Sequence, residues 1–237
     1  MIRSRWGRIR PYFIIILILI TGGTAVAQPP QPPPFVEVTE AAGIDGRRAS
    51  DDGEKVTGQA WGDANGDGWL DLYLTDTDGP NKLYRNNDDG TFSLSPFSDQ
   101  VALPDALSGG ATFADYDNDG RADLYVLNWG ANTLFRNEGE NGFRDVTQAA
   151  GVGDSSNGKT AAWGDYDGDG WLDLYVANWA CVPKCGRSYE GDKDRLYHNN
   201  GDGTFSDATN LLPGGKTRGA GFVASFVDYD NDGDPDI

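Results

Sequence analysis

Four nonapeptides of the form Asp-x-Asp/Asn-x-Asp-Gly-x-x-Asp punctuate this chain of 237 residues, at Asp63 to Asp71, Asp115 to Asp123, Asp165 to Asp173 and Asp228 to Asp236. Side chains one, three, five and nine of such a loop, with the backbone carbonyl of residue seven, can wrap a hard cation; calcium takes about six to eight oxygens at roughly 2.3–2.6 Å. Gly68, Gly120, Gly170 and Gly233 stand at one register, where the chain must turn sharply and only a residue without a Cβ does so at no steric cost. One copy could be a solvated Asp-Gly turn. Four in register argue for calcium binding, at one ion per repeat and up to four in this chain.

The spacing limits the kind of calcium protein. First aspartates lie 52, 50 and 63 residues apart. An EF-hand needs a carboxylate at loop position twelve and a helix after it, but those positions hold Leu74, Val126 and Val176 inside short alternating apolar runs. The runs predict strands: Leu70, Leu72 and Leu74 share one face by the period of two, and Leu172, Leu174 and Val176 repeat the pattern.

More than the loop recurs. Trp61-Gly62 precedes the first loop and Trp163-Gly164 the third. Asn81 to Asn87 returns as Asn132 to Asn137 and as Asp194 to Asn200, predicting a third strand. Turn residues Asp88 to Thr91, Glu140 to Gly142 and Gly201 to Thr204 then lead to Phe92, Phe143 and Phe205 and predict a hairpin into a fourth. Four short strands in each unit of 50–63 residues describe an all-β fold, a β-propeller of four-stranded blades.

The run from Trp163 to Asn178, followed by Leu196 to Phe205, resembles the FG-GAP/VCBS repeats of the cartilage acidic protein-like (ASPIC/UnbV) family, which are similar to the repeats of integrin α-chain propellers. The resemblance covers residues 35–237 and implies a secreted propeller of about seven blades with calcium held in loops between blade strands. By position it implies side-chain ligands Asp63, Asn65, Asp67 and Asp71; Asp115, Asp117, Asp119 and Asp123; Asp165, Asp167, Asp169 and Asp173; and Asp228, Asp230, Asp232 and Asp236. Trp69, Arg121, Trp171 and Asp234 would contribute backbone carbonyls. Loop one departs from the pattern with the neutral Asn65 and is expected to bind most weakly.

Blades are expected over residues 56–107, 108–158 and 159–213, with 218–237 as a truncated fourth, so that roughly three and a half of seven are present and the chain reads as an N-terminal fragment. Phe35 to Ile44 matches Phe143 to Val152 position for position and is expected to be a lone outer strand that latches the ring. Arg3, Arg5, Arg8 and Arg10, the apolar run Tyr12 to Ile20 and Ala25-Val26-Ala27 make residues 1–27 a signal peptide rather than a membrane anchor, which needs about 20 apolar residues. Residues 28–34 form a Pro-rich spacer. The expected product is secreted, periplasmic or extracellular, with no integral span after cleavage.

Charge agrees. The leader carries four of the 19 basic residues and none of the 37 acids, so 15 cations face 37 anions and the mature chain carries −22. Four calcium ions would leave −14, still too acidic for nucleic acid or anionic membranes as partners. Cys181 and Cys185 lie in an insertion and are disulfide candidates; a zinc pair lacks further ligands at suitable spacing. The inserted loop, residues 180–194, is a candidate contact surface or merely a decorated loop. His198 falls at the register of Arg85 and Arg136, an ordinary repeat position rather than a catalytic one. Trp69, Trp129, Trp171 and Trp179 fit packing between blades better than a sugar platform. The expectation is a calcium-stabilised, non-enzymatic scaffold that binds an extracellular protein or carbohydrate. The alternative is the propeller part of a polysaccharide- or lipid-active enzyme whose chemistry lies elsewhere.

Overall fold

The computed structural model describes residues 35–44, 58–77, 79–179, 193–212 and 221–237. The leader, the spacer, Cys181 and Cys185 lie outside the described residues. By its internal contacts the chain divides into Met1–Glu37, in which Phe35 and Val36 are exposed, and the compact unit Val38–Ile237.

Twelve strands make three four-stranded antiparallel sheets among the described residues, each ordered as its strands follow in sequence. The first holds β1 (Gln59–Gly62), β2 (Asp71–Leu74), β3 (Lys82–Asn86) and β4 (Phe92–Leu94). The second holds β5 (Ser108–Ala114), β6 (Asp123–Asn128), β7 (Thr133–Asn137) and β8 (Phe143–Asp145). The third holds β9 (Gly158–Gly164), β10 (Asp173–Asn178), β11 (Arg195–Asn199) and β12 (Phe205–Asp207). These are propeller blades.

The register fixes where the nonapeptides sit. Gly62 pairs with Asp71, Ala114 with Asp123 and Gly164 with Asp173, so each nonapeptide is the hairpin joining the first and second strands of its blade. Its ninth residue is already the first residue of the second strand. An isolated bridge between Val227 and Asp236 sets the fourth nonapeptide in the same frame.

Blades stack face to face, which explains why the second strands are buried on both sides. In β6 Leu124 and Val126 pack toward the first sheet, in a cluster with Tyr73, Leu83, Val101 and Phe143. Tyr125 and Leu127 point the other way, into a cluster with Leu174, Val176, Tyr197 and Phe205 of the third sheet. The leucine stripe visible in the sequence is thus one of two buried faces. The alternate tyrosines reach past it: Tyr73 Oη donates to the Val101 carbonyl at 2.7 Å and Tyr125 Oη to that of Val152 at 2.9 Å.

First strands of neighbouring blades approach closely through glycine. A Cβ at Gly58 would fall 2.7 Å from Gly110 Cα, and one at Gly62 would fall 2.5 Å from Phe113 Cγ. Trp163 fills the gap between the second and third blades, against Tyr116, Tyr125 and Phe205.

Two expectations change. Phe35 to Ile44 contains no strand: Thr39 to Gly43 forms a turn, closed by Ala42 N–H to Val38 O at 2.7 Å and Ile44 N–H to Thr39 O at 3.0 Å. The matching stretch of blade two is β8 followed by a one-turn helix, α1 (Thr147–Ala150), with the equivalent bonds from Ala150 to Val146 and from Val152 to Thr147. The likeness is therefore to the turn. β8 exists because β7 offers it a ladder from Phe135 to Asn137, and no β7-like strand precedes residues 35–37 in the described chain. The tryptophans also divide. Trp69, in the loop before β2, is 48% and Trp129, just past β6, is 37% exposed, whereas Trp179 meets Phe222 edge-on with ring centroids 4.0 Å apart.

Candidate metal centres

Each nonapeptide is built around its first aspartate. In loop one, Asp63 Oδ1 accepts from the N–H groups of Gly66 and Asp67 at 2.8 and 3.1 Å, and Oδ2 accepts from Gly68 at 2.8 Å. Asp165 repeats this with Gly168, Asp169 and Gly170, and Asp115 and Asp228 take the N–H groups of positions five and six. Folding donors onto one carboxylate curls the loop and turns its remaining side chains inward. The curl needs left-handed backbone twice: at position six, with Gly68 at φ +90° and Gly170 at +92°, and at position four, with Gly66, Asn118, Gly168 and Asn231. Position four was readable from its Gly/Asn alternation, since Asn is the non-glycine residue that best tolerates this region.

The ninth aspartate is held hardest. Asp71, Asp123 and Asp173 are buried, and each has one oxygen on the N–H of position two and the other on an asparagine N–H of the third strand. For Asp123 these are Tyr116 at 3.3 Å and Asn137 at 2.7 Å; for Asp173 they are Tyr166 at 3.0 Å and Asn199 at 2.8 Å. Burial pushes all three carboxyls above the ordinary carboxylate range, Asp123 to about 7. Burial also raises Asp117. Asp67, at the exposed end of loop one, is lowered by the N–H of Trp69.

The asparagines that grip position nine also tie loops to the next blade, which sequence reasoning missed. Asn137 Nδ2 donates to the carbonyl of Ala64 in loop one at 2.8 Å, and Asn199 Nδ2 to that of Tyr116 in loop two at 2.8 Å. Loop two in turn reaches loop three through Asn118 Nδ2 and the Gly170 carbonyl, 3.1 Å apart.

Three of the four loops gather carboxylates at metal-ligand spacing. Asp115, Asp117 and Asp123 place oxygens within 4.8 Å of one another, as do Asp165, Asp167 and Asp169, and Asp228, Asp230 and Asp236. Loop one, where Asn65 replaces a carboxylate, forms no such trio. Asp119 and Asp232 stand outside these trios, each with Oδ1 on the N–H of position seven. Asp117 Oδ1 is buried without a hydrogen-bond partner, an acceptor that a cation would satisfy. The donor set is all oxygen and fits calcium, whose charge would stabilise the ionised form of these crowded carboxylates.

A basic residue of the third strand reaches into each of the first three loops. Arg85 lies 3.4 Å from Asp67, Arg136 Nε lies 2.7 Å from Asp117, and His198 Nδ1 lies 3.2 Å from Asp167 and 3.3 Å from Asp173. In the absence of a bound ion the two guanidinium groups balance part of the charge of loops one and two.

A family profile described as FG-GAP-like repeat matches residues 63–126, 115–176 and 185–237. Cartilage acidic protein 1 of Homo sapiens is 34% identical over 80 residues, 32% of this chain and 12% of that protein. Its counterpart in Xenopus tropicalis is 35% identical over 80 residues with the same coverage. The matched region thus spans about an eighth of those relatives. Among solved structures, an Agrocybe aegerita lectin that recognises non-reducing terminal N-acetylglucosamine aligns at TM-score 0.39 and 23% identity, over 62% of this chain and 36% of the lectin chain.

Proposed function

Because the chain belongs to the FG-GAP-like repeat family, we propose that it is a secreted, calcium-stabilised β-propeller serving as a non-enzymatic extracellular binding or adhesion-type scaffold. The observation that carries this reading is the curled loop between the first two strands of a blade, its carboxylates converging in three of four copies. A divalent ion supplies positive charge where the loop concentrates negative charge, and so ties the hairpin end to the strand that Asp71, Asp123 or Asp173 begins. The partial likeness to a protein named for cartilage supports an extracellular setting. Lack of catalysis accords with the single imidazole, His198, which faces loop carboxylates instead of a serine or cysteine nucleophile. The strongly acidic surface favours a protein or carbohydrate partner over nucleic acid.

The test is thermal unfolding with millimolar calcium and with chelator. An ion at ten times its dissociation constant adds about 1.4 kcal/mol per site, so four sites raise the melting temperature by on the order of 10 °C. Identical melts in both conditions would refute the structural role of calcium.

A further inference from the structure

The third loop differs from the others in one ligand-bearing residue. Where the first and second blades present Arg85 and Arg136, whose guanidinium groups have no lone pair to offer, the third presents His198. Its Nδ1 atom is buried and makes no hydrogen bond, although Asp167 Oδ2 and Asp173 Oδ1 stand 3.2 and 3.3 Å away. An unbonded ring nitrogen aimed between two carboxylate oxygens has the arrangement of a ligand.

We propose that the third loop holds a borderline divalent cation of the zinc type through His198 Nδ1, Asp167 Oδ2 and Asp173 Oδ1. This rests on reading the nonapeptides as cation loops and names a second class of ion for one of them. Calcium is a hard cation that takes oxygen ligands, so the imidazole adds nothing to a calcium site. Zinc binds imidazole nitrogen and carboxylate oxygen at about 2.0–2.2 Å, which puts neighbouring ligands of a tetrahedron about 3.3–3.6 Å apart. The two observed separations come within 0.1 Å of that edge. The carboxylates are held in place as zinc ligands usually are: Asp173 is fully buried, with its oxygens on the N–H groups of Tyr166 and Asn199. Asp165, Asp167 and Asp169 form the other trio of the same loop. The two trios share Asp167, so an ion on the imidazole side and one on the all-oxygen side compete for its carboxylate.

Cobalt(II), a spectroscopic stand-in for zinc, tests the proposal on the full, chelator-stripped chain, read by its visible absorption and by zinc displacement. One equivalent is expected to give the intense bands of a tetrahedral site, and excess calcium to raise the apparent dissociation constant. His198→Arg installs the residue of the other blades at this register; it and His198→Gln, both folded by thermal melt, are expected to weaken cobalt at least tenfold while calcium stoichiometry stays unchanged. Cobalt affinity that survives both variants, or that disappears instead in the Cys181→Ser/Cys185→Ser protein, overturns the proposal. Saturable calcium binding with no tetrahedral cobalt overturns it while leaving the calcium reading intact. Tetrahedral cobalt with no saturable calcium does the reverse.

Discussion

Loops one and two share the first, fifth, sixth and ninth residues of the nonapeptide and sit at the same register, but they differ in what surrounds them. Loop one is exposed along most of its length; its Asp67 is stabilised as an anion by the Trp69 N–H and met by Arg85 at 3.4 Å. Loop two lies in the middle blade. Its Asp117 side chain is only 11% exposed, its Arg136 closes to 2.7 Å, and its Asp123 is pushed by burial to about 7. Loop two also forms bonds to the third blade through both Tyr116 and Asn118. The nonapeptide sets the curl, and the neighbouring blade sets how much charge the curl must bear without solvent. An ion therefore has more to offset in loop two.

The comparison breaks most visibly at the asparagine clamps. Asn199 is buried and donates to two carbonyls, Tyr116 at 2.8 Å and Leu172 at 3.0 Å, while Asn86 is half-buried and donates to Leu70 of its own blade at 3.0 Å. Asn199→Ala strands one buried and one half-buried acceptor and is expected to cost about 2–4 kcal/mol in urea unfolding, against about 1 kcal/mol for Asn86→Ala. Equal losses would show that the bond between blades adds nothing.

Blade packing gives the next largest effect. Gly62 leaves room for Phe113, whereas the second blade carries Ala114 at the equivalent position, paired with Asp123 as Gly62 is with Asp71. Gly62→Ala places a methyl group inside the Phe113 ring and is expected to cost about 1–3 kcal/mol by overpacking. Ala114→Gly is expected to cost less than about 1 kcal/mol, the entropy of an added glycine. If Gly62→Ala melts like the parent, Phe113 has an alternative rotamer and the close approach is not required.

How much of this was legible depends on whether a feature is local. The loops were readable because Asp and Gly recur within nine residues, and the strands because Leu70-Asp-Leu-Tyr-Leu74 and its copies alternate. The clamps were not: Asn137 meets Ala64 across 73 residues and Asn199 meets Tyr116 across 83, and only the stacking of blades brings them together. The second buried face of each middle strand was hidden for the same reason, since Tyr73 and Tyr125 look amphipathic until a neighbouring blade covers them. The match of residues 35–44 to 143–152 was real in sequence, but a strand needs a partner and a turn does not, so only the turn survived.

Ligand charge sharpens the contrast between the loops at a smaller scale. Asn65 accepts the Asp67 N–H at 2.8 Å, a bond that an aspartate could make equally. Asn65→Asp gives loop one the carboxylate count of loop two. Calcium affinity at that loop is expected to rise about tenfold by calorimetry, since charge count tunes such sites. An unchanged isotherm would mean that burial and blade contacts, not the missing charge, make loop one the weaker site.

The smallest expected effect separates the two arginines. Arg85 is 53% exposed and meets Asp67 at 3.4 Å, so solvent screens the pair, and Arg85→Ala is expected to move the metal-free melting temperature by no more than about 1 °C. Arg136 is less exposed, at 35%, and its partner Asp117 is largely covered. Removing it leaves Asp117 without a cation while Asp119 keeps Arg121, and Arg136→Ala is expected to lower the same temperature by about 2–4 °C. Calcium should reverse the order of merit. With the ion in place the guanidinium is a competitor for Asp117, so Arg136→Ala is expected to lose its deficit on adding calcium and to bind the ion more tightly than the parent. A deficit that persists at saturating calcium would mean that Arg136 and the ion occupy loop two together, and that the arginine is part of the loaded centre rather than its stand-in.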